Sequence, residues 1–106
     1  MSSYIYTFIR RDIPHAQKIV QLGHATFEAG KLFKSANEIS NLVLLSAENE
    51  AELLNISRKL DTKEIEYYMF YEPDNSMGYS AICTRPIFDP KERQFFKKWN
   101  LYRHTD

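Results

Sequence analysis

The sequence predicts an α/β fold in which one mixed four-stranded sheet carries helices on both faces. Segments rich in β-branched and aromatic residues alternate with segments of helical period, and such alternation favours right-handed parallel crossovers. A short proline-containing bend at residues 73–75 joins the last two strand-like segments, which favours one antiparallel pair. The predicted order is strand, helix, strand, helix, strand, strand, helix.

The first strand and the first helix are predicted over residues 4–9 and 14–33. The run Tyr-Ile-Tyr-Thr-Phe-Ile suits a strand that is buried on both faces, and Pro14 suits the first turn of a helix. Small or apolar residues then recur every three or four positions, namely Ala16, Ile19, Val20, Gly23, Phe27 and Gly30. The two glycines predict a close approach of this helix to the sheet; alternatively, they weaken the helix or end it near Gly30.

The middle of the chain is predicted to add a loop at residues 35–41, a buried strand at 42–45 and a second helix. Ser46 is the predicted helix cap. Acidic residues in the first turn and basic residues in the last turn match the helix dipole; they are Glu48, Glu50, Arg58 and Lys59.

The last part is predicted to form an antiparallel hairpin and a short helix. Residues 65–71 and 79–84 are strand-like on either side of the bend. Asp89 and Pro90 open the final helix, which carries Phe95, Phe96 and Trp99.

Length, composition and charge set the broad class. The chain has 106 residues, 43% of them apolar and 26% charged, which fits a single globular domain over residues 1–106. The 14 basic and 14 acidic residues balance, but the acidic ones are concentrated in the middle of the chain. The two ends could therefore form a basic face, or their charges could simply solvate helices; its members would be Arg10, Arg11, Lys18, Arg85, Lys91, Arg93, Lys97 and Lys98.

Several classes of protein are disfavoured. The single cysteine, Cys83, excludes an internal disulfide and favours a reducing, cytoplasmic location, where it would act as a small buried hydrophobe. The histidines lack zinc-ligand spacing, and three glycines make no phosphate loop, so we expect no metal and no cofactor. No apolar run approaches the roughly 18 residues of a membrane span, so we expect no membrane partner.

A polar row on the first helix is the strongest functional signal. Its members, Gln17, Gln21, His24 and Glu28, are spaced by four, three and four residues and so share one face. The row begins just after the end of a strand, where α/β proteins hold ligands. The alternative is a solvated helix face.

These residues resemble a known family. Arg10-Arg11-Asp12-Ile13, followed by Gln21 and His24-Ala25, resembles the Arg-x-Asp-Leu … Gly-Lys-x-Ala-x-Gln-x-x-His-Ala opening of the type II peptidyl-tRNA hydrolase domain. The resemblance covers roughly residues 4–87 and implies that family's mixed four-stranded sheet.

The resemblance also implies site residues. The family's glutamine and histidine match Gln21 and His24, and its aspartate matches Glu72 or Asp74. Its threonine matches Ser80, six residues before Pro86. The family's catalytic lysine position holds Gln17, and the neighbouring Lys18 lies about 100° around the helix.

The implied function is hydrolysis of the ester bond of peptidyl- or aminoacyl-tRNA by an activated water. Water would be oriented by Gln21, by Glu72 or Asp74, and by Ser80, with Lys18 or an arginine as oxyanion donor. The tRNA, or another phosphate-bearing ligand, would be bound by Arg10, Arg11, Gln17, His24 and Arg85. The alternative is a binding module for RNA, a nucleotide or a protein that keeps this scaffold without turnover.

A third interpretation concerns self-association. The segment Phe95-Phe96-Lys97-Lys98-Trp99 is aromatic and could mediate a homodimer. Alternatively, the same side chains could cap the core of a single copy.

Overall fold

A computed structural model describes residues 2–33 and 38–103. The predicted order of elements is confirmed, with an added 3-10 turn, Asp74–Ser76, between the last two strands. The predicted loop at residues 35–41 lies partly outside the described residues. The strands are β1 (Tyr4–Arg10), β2 (Asn41–Ala47), β3 (Tyr67–Glu72) and β4 (Gly78–Thr84), and the helices are α1 (His15–Leu32), α2 (Glu50–Thr62) and α3 (Pro90–Phe95).

The four strands form one mixed sheet in the order β2-β1-β4-β3. Strand β1 runs parallel to β2 and antiparallel to β4, and β3 runs antiparallel to β4. The parallel pair is joined through α1, as a crossover connection requires. The predicted α/β class and mixed sheet are therefore confirmed.

Two separate hydrophobic clusters show that helices cover both faces of the sheet. On one face, α2 packs through Leu53, Ile56 and Leu60 against a cluster that includes Phe8 and Ile82. On the other face, α1 packs against the side chains that alternate with those, in a smaller cluster that contains Ala81 and Cys83. The period-two alternation of β4 thus separates a large core from a small one.

The orientation of α1 is the reverse of the predicted one. The apolar residues Ile19, Val20 and Phe27 are 65%, 46% and 67% exposed. The buried residues of α1 are instead Gln21, Ala25 and Ala29. The predicted apolar stripe therefore faces solvent, whereas Gln21 of the polar row faces the sheet and His24 of that row stays exposed.

The predicted close approach at the two glycines is also wrong. A Cβ atom built at Gly23 or Gly30 would meet nothing within 4 Å. The small residues that allow close packing are alanines on the opposite side of the helix, Ala25 and Ala29, which lie in one cluster with Ala81.

The cap of α2 differs from the prediction by three residues. Ser46 belongs to β2, and the helix is capped by Asn49, whose side-chain oxygen accepts from the Glu52 backbone N–H at 2.9 Å. Glu48 precedes this cap, so the acidic residues of the first turn are Glu50 and Glu52. The longer strand displaces the start of the helix.

The C-terminal segment closes the large core and covers an edge of the sheet. Phe96, in a 3-10 turn after α3, is 2% exposed and stacks on Tyr6 with ring centroids 3.9 Å apart. Residues 100–102 then pair with β2: the Ser46 N–H donates to the Asn100 carbonyl at 3.3 Å, and the Tyr102 N–H donates to the Leu44 carbonyl at 2.9 Å. The aromatic segment thus has a core role within one copy.

Two charged side chains anchor the bend between β3 and β4. Arg10 at the end of β1 is 8% exposed and donates from Nη1 to the carbonyls of Met77 and Tyr79 at 2.5 and 3.0 Å. Its Nε and Nη2 donate to Asp12, which lowers the pKa of that carboxyl. From α2, Glu50 accepts from the Tyr79 N–H at 2.8 Å.

Gly78 is required beside this anchor. It has a φ of +77°, and a Cβ there would collide with the Glu50 carboxylate. A residue without a side chain is therefore the one that fits both the backbone conformation and the space.

Within residues 2–33 and 38–103, no helix is both long and apolar enough to cross a membrane.

Replacing Arg10 should destabilise the fold. We expect Arg10→Met to lower the free energy of unfolding by about 2 to 4 kcal/mol, because two partly buried carbonyls and Asp12 lose a charged donor. The measurement is urea unfolding followed by circular dichroism. Arg58→Met, the same change at an exposed position of α2, should stay within about 0.5 kcal/mol of wild type. Equal stabilities of the two variants would contradict the anchoring role of Arg10.

Candidate functional site

Four of the predicted site residues meet in one hydrogen-bonded cluster. Gln21 Nε2 donates to Glu72 Oε1 at 2.9 Å, and Ser80 Oγ donates to Gln21 Oε1 at 2.6 Å. Gln21 Nε2 also lies 3.3 Å from Gln17 Oε1, to which it donates. We call Gln17, Gln21, Glu72 and Ser80 the amide cluster. It joins α1 to β3 and β4.

A β-bulge aims Ser80 at this cluster. The register of β3 and β4 shifts between Phe70 and Tyr71, so that Tyr79 and Ala81 have partners and Ser80 is the extra residue. As a result, Ser80 and Ala81 both face α1, although neighbouring residues of a regular strand point to opposite faces. Strict alternation would have placed the Ser80 hydroxyl on the α2 face.

The Gln21 carboxamide is buried and paired at both ends. Gln21 and Ser80 are each 0% exposed. The amide oxygen accepts from Ser80, and the nitrogen donates to Glu72 and Gln17, which assigns the amide orientation. These two buried residues can position their neighbours, but they do not reach the surface themselves.

Glu72 extends from the buried pair Gln21 and Ser80 to the surface of the protein. It is half-buried, and its second oxygen, Oε2, accepts from the Asp74 backbone N–H at 3.2 Å. The bond from Gln21, followed by that from Asp74, holds the pKa of the Glu72 carboxyl below its ordinary value of 4.5. Of the two acidic candidates, Glu72 is therefore the one that contacts Gln21, while Asp74 contributes its backbone.

His24 and Gln17 border the carboxylate on α1. The exposed His24 ring stacks on Phe70, with centroids 4.6 Å apart and planes within 3°. Gln17 is half-buried and accepts through Oε1, so its NH₂ group is directed away from Gln21. The surface around Glu72 thus presents a carboxylate, an amide donor and an imidazole.

The predicted basic residues lie elsewhere. Lys18 Nζ donates to the Tyr102 hydroxyl at 3.1 Å, and the Arg11 guanidinium lies 5.5 Å from the centroid of the same ring. Arg10 anchors the bend, and Arg85 forms an ion pair with Glu92 at 2.8 Å. Lys18, Arg10 and Arg85 are thus all engaged with partners outside the amide cluster.

Cys83 is separate from this chemistry. It is 3% exposed in β4, and burial raises the pKa of its thiol to about 12. Such a thiol is unreactive near neutral pH. Among residues 2–33 and 38–103, no three His, Cys, Asp or Glu side chains are placed to hold a metal ion.

Several contacts were not evident from the sequence. Glu50 and Phe70 support the bend and the imidazole, and Tyr102 binds Lys18 from 84 residues away. All three contacts join residues far apart in the chain, so no local pattern identifies them. The nearest available signal was the Arg-x-Asp segment, whose first and last residues form an ion pair.

Neither a scan against protein-family models nor a search of curated proteins matched the chain.

The ionisation of Glu72 should depend on Gln21. We expect a carbon-13 NMR titration to give wild-type Glu72 a pKa below 4.5, and Gln21→Met to raise it. Because the folded-state pKa is depressed, the associated stabilisation is present above the ordinary value and is lost as the pH falls through the folded-state pKa. Wild type should therefore lose stability more steeply than Gln21→Met below about pH 4.5.

Gln17, one helical turn before Gln21, provides a matched control. Gln17→Met makes the same chemical change but leaves the Gln21–Glu72 bond in place, so it should shift the pKa of Glu72 less. A wild-type pKa at or above 4.5, or equal values in all three proteins, would contradict this account.

Proposed function

We propose that the chain hydrolyses the ester bond of peptidyl- or aminoacyl-tRNA, on a scaffold like that of the type II peptidyl-tRNA hydrolases. The supporting observation is the convergence of Gln21, Glu72 and Ser80, the three positions that the resemblance selects on separate elements, in one hydrogen-bonded cluster. The element order and the mixed sheet agree with the fold that the resemblance implies.

Glu72 is the residue proposed to contact the attacking water. A carboxylate accepts about four hydrogen bonds, and the amide cluster and the bend supply two. A water bound to the remaining acceptor sites would be held with its oxygen towards the ester carbonyl. Because the pKa of Glu72 is low, the carboxylate is ionised near neutral pH, and its main contribution is orientation of the water.

The proposed hydrolysis needs only water and the ester as reactants. The water oxygen bonds to the carbonyl carbon, and the bond from that carbon to the ribose oxygen breaks. The water proton passes through Glu72 to the ribose oxygen, which leaves as a hydroxyl. Gln21 and Ser80 act as positioning residues, because they are buried and hold Glu72 rather than touch the substrate.

Gln17 is proposed as the oxyanion donor. It occupies the family's lysine position, and its NH₂ group is directed away from Gln21. A neutral amide stabilises a developing oxyanion less than an ammonium does, since charge-assisted hydrogen bonds are roughly twice as strong as neutral ones. Slow turnover is therefore expected of the wild-type chain.

A hydrolysis assay with N-acetylaminoacyl-tRNA tests this function. Glu72→Gln should slow release of the acylated amino acid by about a hundredfold or more. Gln17→Lys should accelerate it about tenfold by restoring a cation. Glu48→Gln, the same change as Glu72→Gln at an exposed glutamate, should match wild type. No hydrolysis above background by either wild type or Gln17→Lys would reject the enzyme.

A second candidate is a module that binds tRNA without turnover. The observation that favours it is that two cations predicted for the site have other partners: Lys18 donates to Tyr102, and Arg10 donates to the bend. These cations are therefore not placed to stabilise an oxyanion during hydrolysis. Phosphate contacts would then come from exposed members of the predicted basic face, including Lys98.

The salt dependence of binding tests the module. With fluorescently labelled tRNA, log affinity should fall linearly with log salt, and Lys98→Ala should reduce the slope by about one. Lys59→Ala, on the exposed surface of α2, should leave the slope unchanged. A flat dependence for the wild-type protein would reject the module.

A further inference from the structure

A cavity of about 510 Å³ lies on the face of the sheet opposite the amide cluster. It is bounded by β1, β2, α3 and the segment that follows α3. Its volume is within the range of roughly 300 to 1,000 Å³ that is usual for small-molecule sites. The cavity is therefore large enough for a ligand of the size of a nucleotide.

The interior of this cavity is aromatic and rigidly supported. Tyr4, Tyr6, Phe96 and Trp99 contribute to its walls. The rings of Tyr6 and Phe96 stack on each other, and Trp99 is half-buried with its ring set edge-on to Phe8 at 5.2 Å. Such fixed aromatic walls favour a planar, largely apolar group.

The charged side chains in the walls of this cavity are all basic. Arg93 and Lys97 line the cavity, and none of the described residues lining it is Asp or Glu. A different cavity on this molecule, lined by Asp61, Glu64 and Glu66, has the opposite character. The aromatic cavity thus favours an anion over a cation.

Arg93 has an unpaired donor in this wall. The central carbon of its guanidinium lies 3.5 Å from the centroid of the Tyr4 ring, and a hydrogen bond with Tyr6 raises the pKa of the group. The Nε atom is buried and has no hydrogen-bond partner among the described residues. An unpaired buried donor on a cation is costly unless an additional group accepts from it.

We infer that this cavity binds a nucleotide unit, with the planar base against Trp99 and Tyr6 and the phosphate at Lys97 and Arg93. The base matches the aromatic interior, and the phosphate matches the two cations. The site is independent of the proposed hydrolysis, because the sheet separates it from Glu72. Failure of one proposal leaves the other standing.

Trp99 provides the readout, because it is the only tryptophan in the chain. The protein is titrated in parallel with adenosine monophosphate, adenosine and inorganic phosphate. Its tryptophan fluorescence is excited at the long-wavelength edge of the tryptophan absorption band. We expect saturable quenching by adenosine monophosphate, and binding at least about tenfold weaker for adenosine and for phosphate, since each lacks one half of the recognised unit.

Two charge reversals on neighbouring turns serve as variant and control. Lys97→Glu should weaken adenosine monophosphate binding at least about tenfold, whereas Lys91→Glu, on the same short segment but outside the cavity, should change it less than about twofold. Both lysines are exposed, and circular dichroism checks that both variants keep the fold. No saturable quenching, equal binding of nucleotide and nucleoside, or an unchanged Lys97→Glu variant would overturn the proposal.

The unit could come from a free mononucleotide or from an RNA strand. A hexamer of adenylate distinguishes these sources, because neighbouring phosphates would contact Lys98 and add affinity. Tighter binding of the hexamer supports the strand, and equal or weaker binding supports the free mononucleotide. The nucleotide chemistry of the cavity is the same in both cases.

Discussion

The arrangement of this molecule depends on one buried carboxamide. Gln21 is completely covered by the sheet, and both ends of its amide are paired with side chains from α1, β3 and β4. Turning α1 to bury its apolar side would leave that amide's partners, Ser80 and Glu72, without their bonds, and unpaired buried polar groups cost more than exposed apolar ones. The side of α1 that carries Gln21 therefore faces the sheet, and Ile19 and Phe27 face solvent.

A second set of polar contacts fixes the same region from the other face of the sheet. Arg10 and Glu50 bond the backbone of the bend, and Gly78 leaves space for the Glu50 carboxylate. Glu72, a member of the amide cluster, ends β3 beside this bend, and its carboxylate is held by Gln21 of α1 and by the Asp74 backbone of the bend. Such support from rigid elements is what a positioned water requires.

The elements could be predicted from the sequence because each has a strong local signature, such as the aromatic and β-branched run of β1 or the aspartate and proline that open α3. The meeting of Gln21 with Glu72 could be expected from the family resemblance. The inward face of α1 could not be predicted, since its buried polar partner is supplied by distant strands. The same limit applies to the bulge that turns Ser80, and to the cap, where a longer β2 moves the start of α2 to Asn49. The cavity walls, likewise, come from segments that share no local pattern.

The short pairing of residues 100–102 with β2 protects an edge of the sheet from pairing with other molecules. An outer strand with open N–H and C=O groups is a template for strands of other molecules, and β2 is rich in leucine and valine. Asn100 and Tyr102 occupy part of that template. Displacement of residues 100–102 by proteolysis, a fused tag or a bound partner would expose the open edge of β2. The purified protein would then be prone to aggregate through strand pairing between molecules.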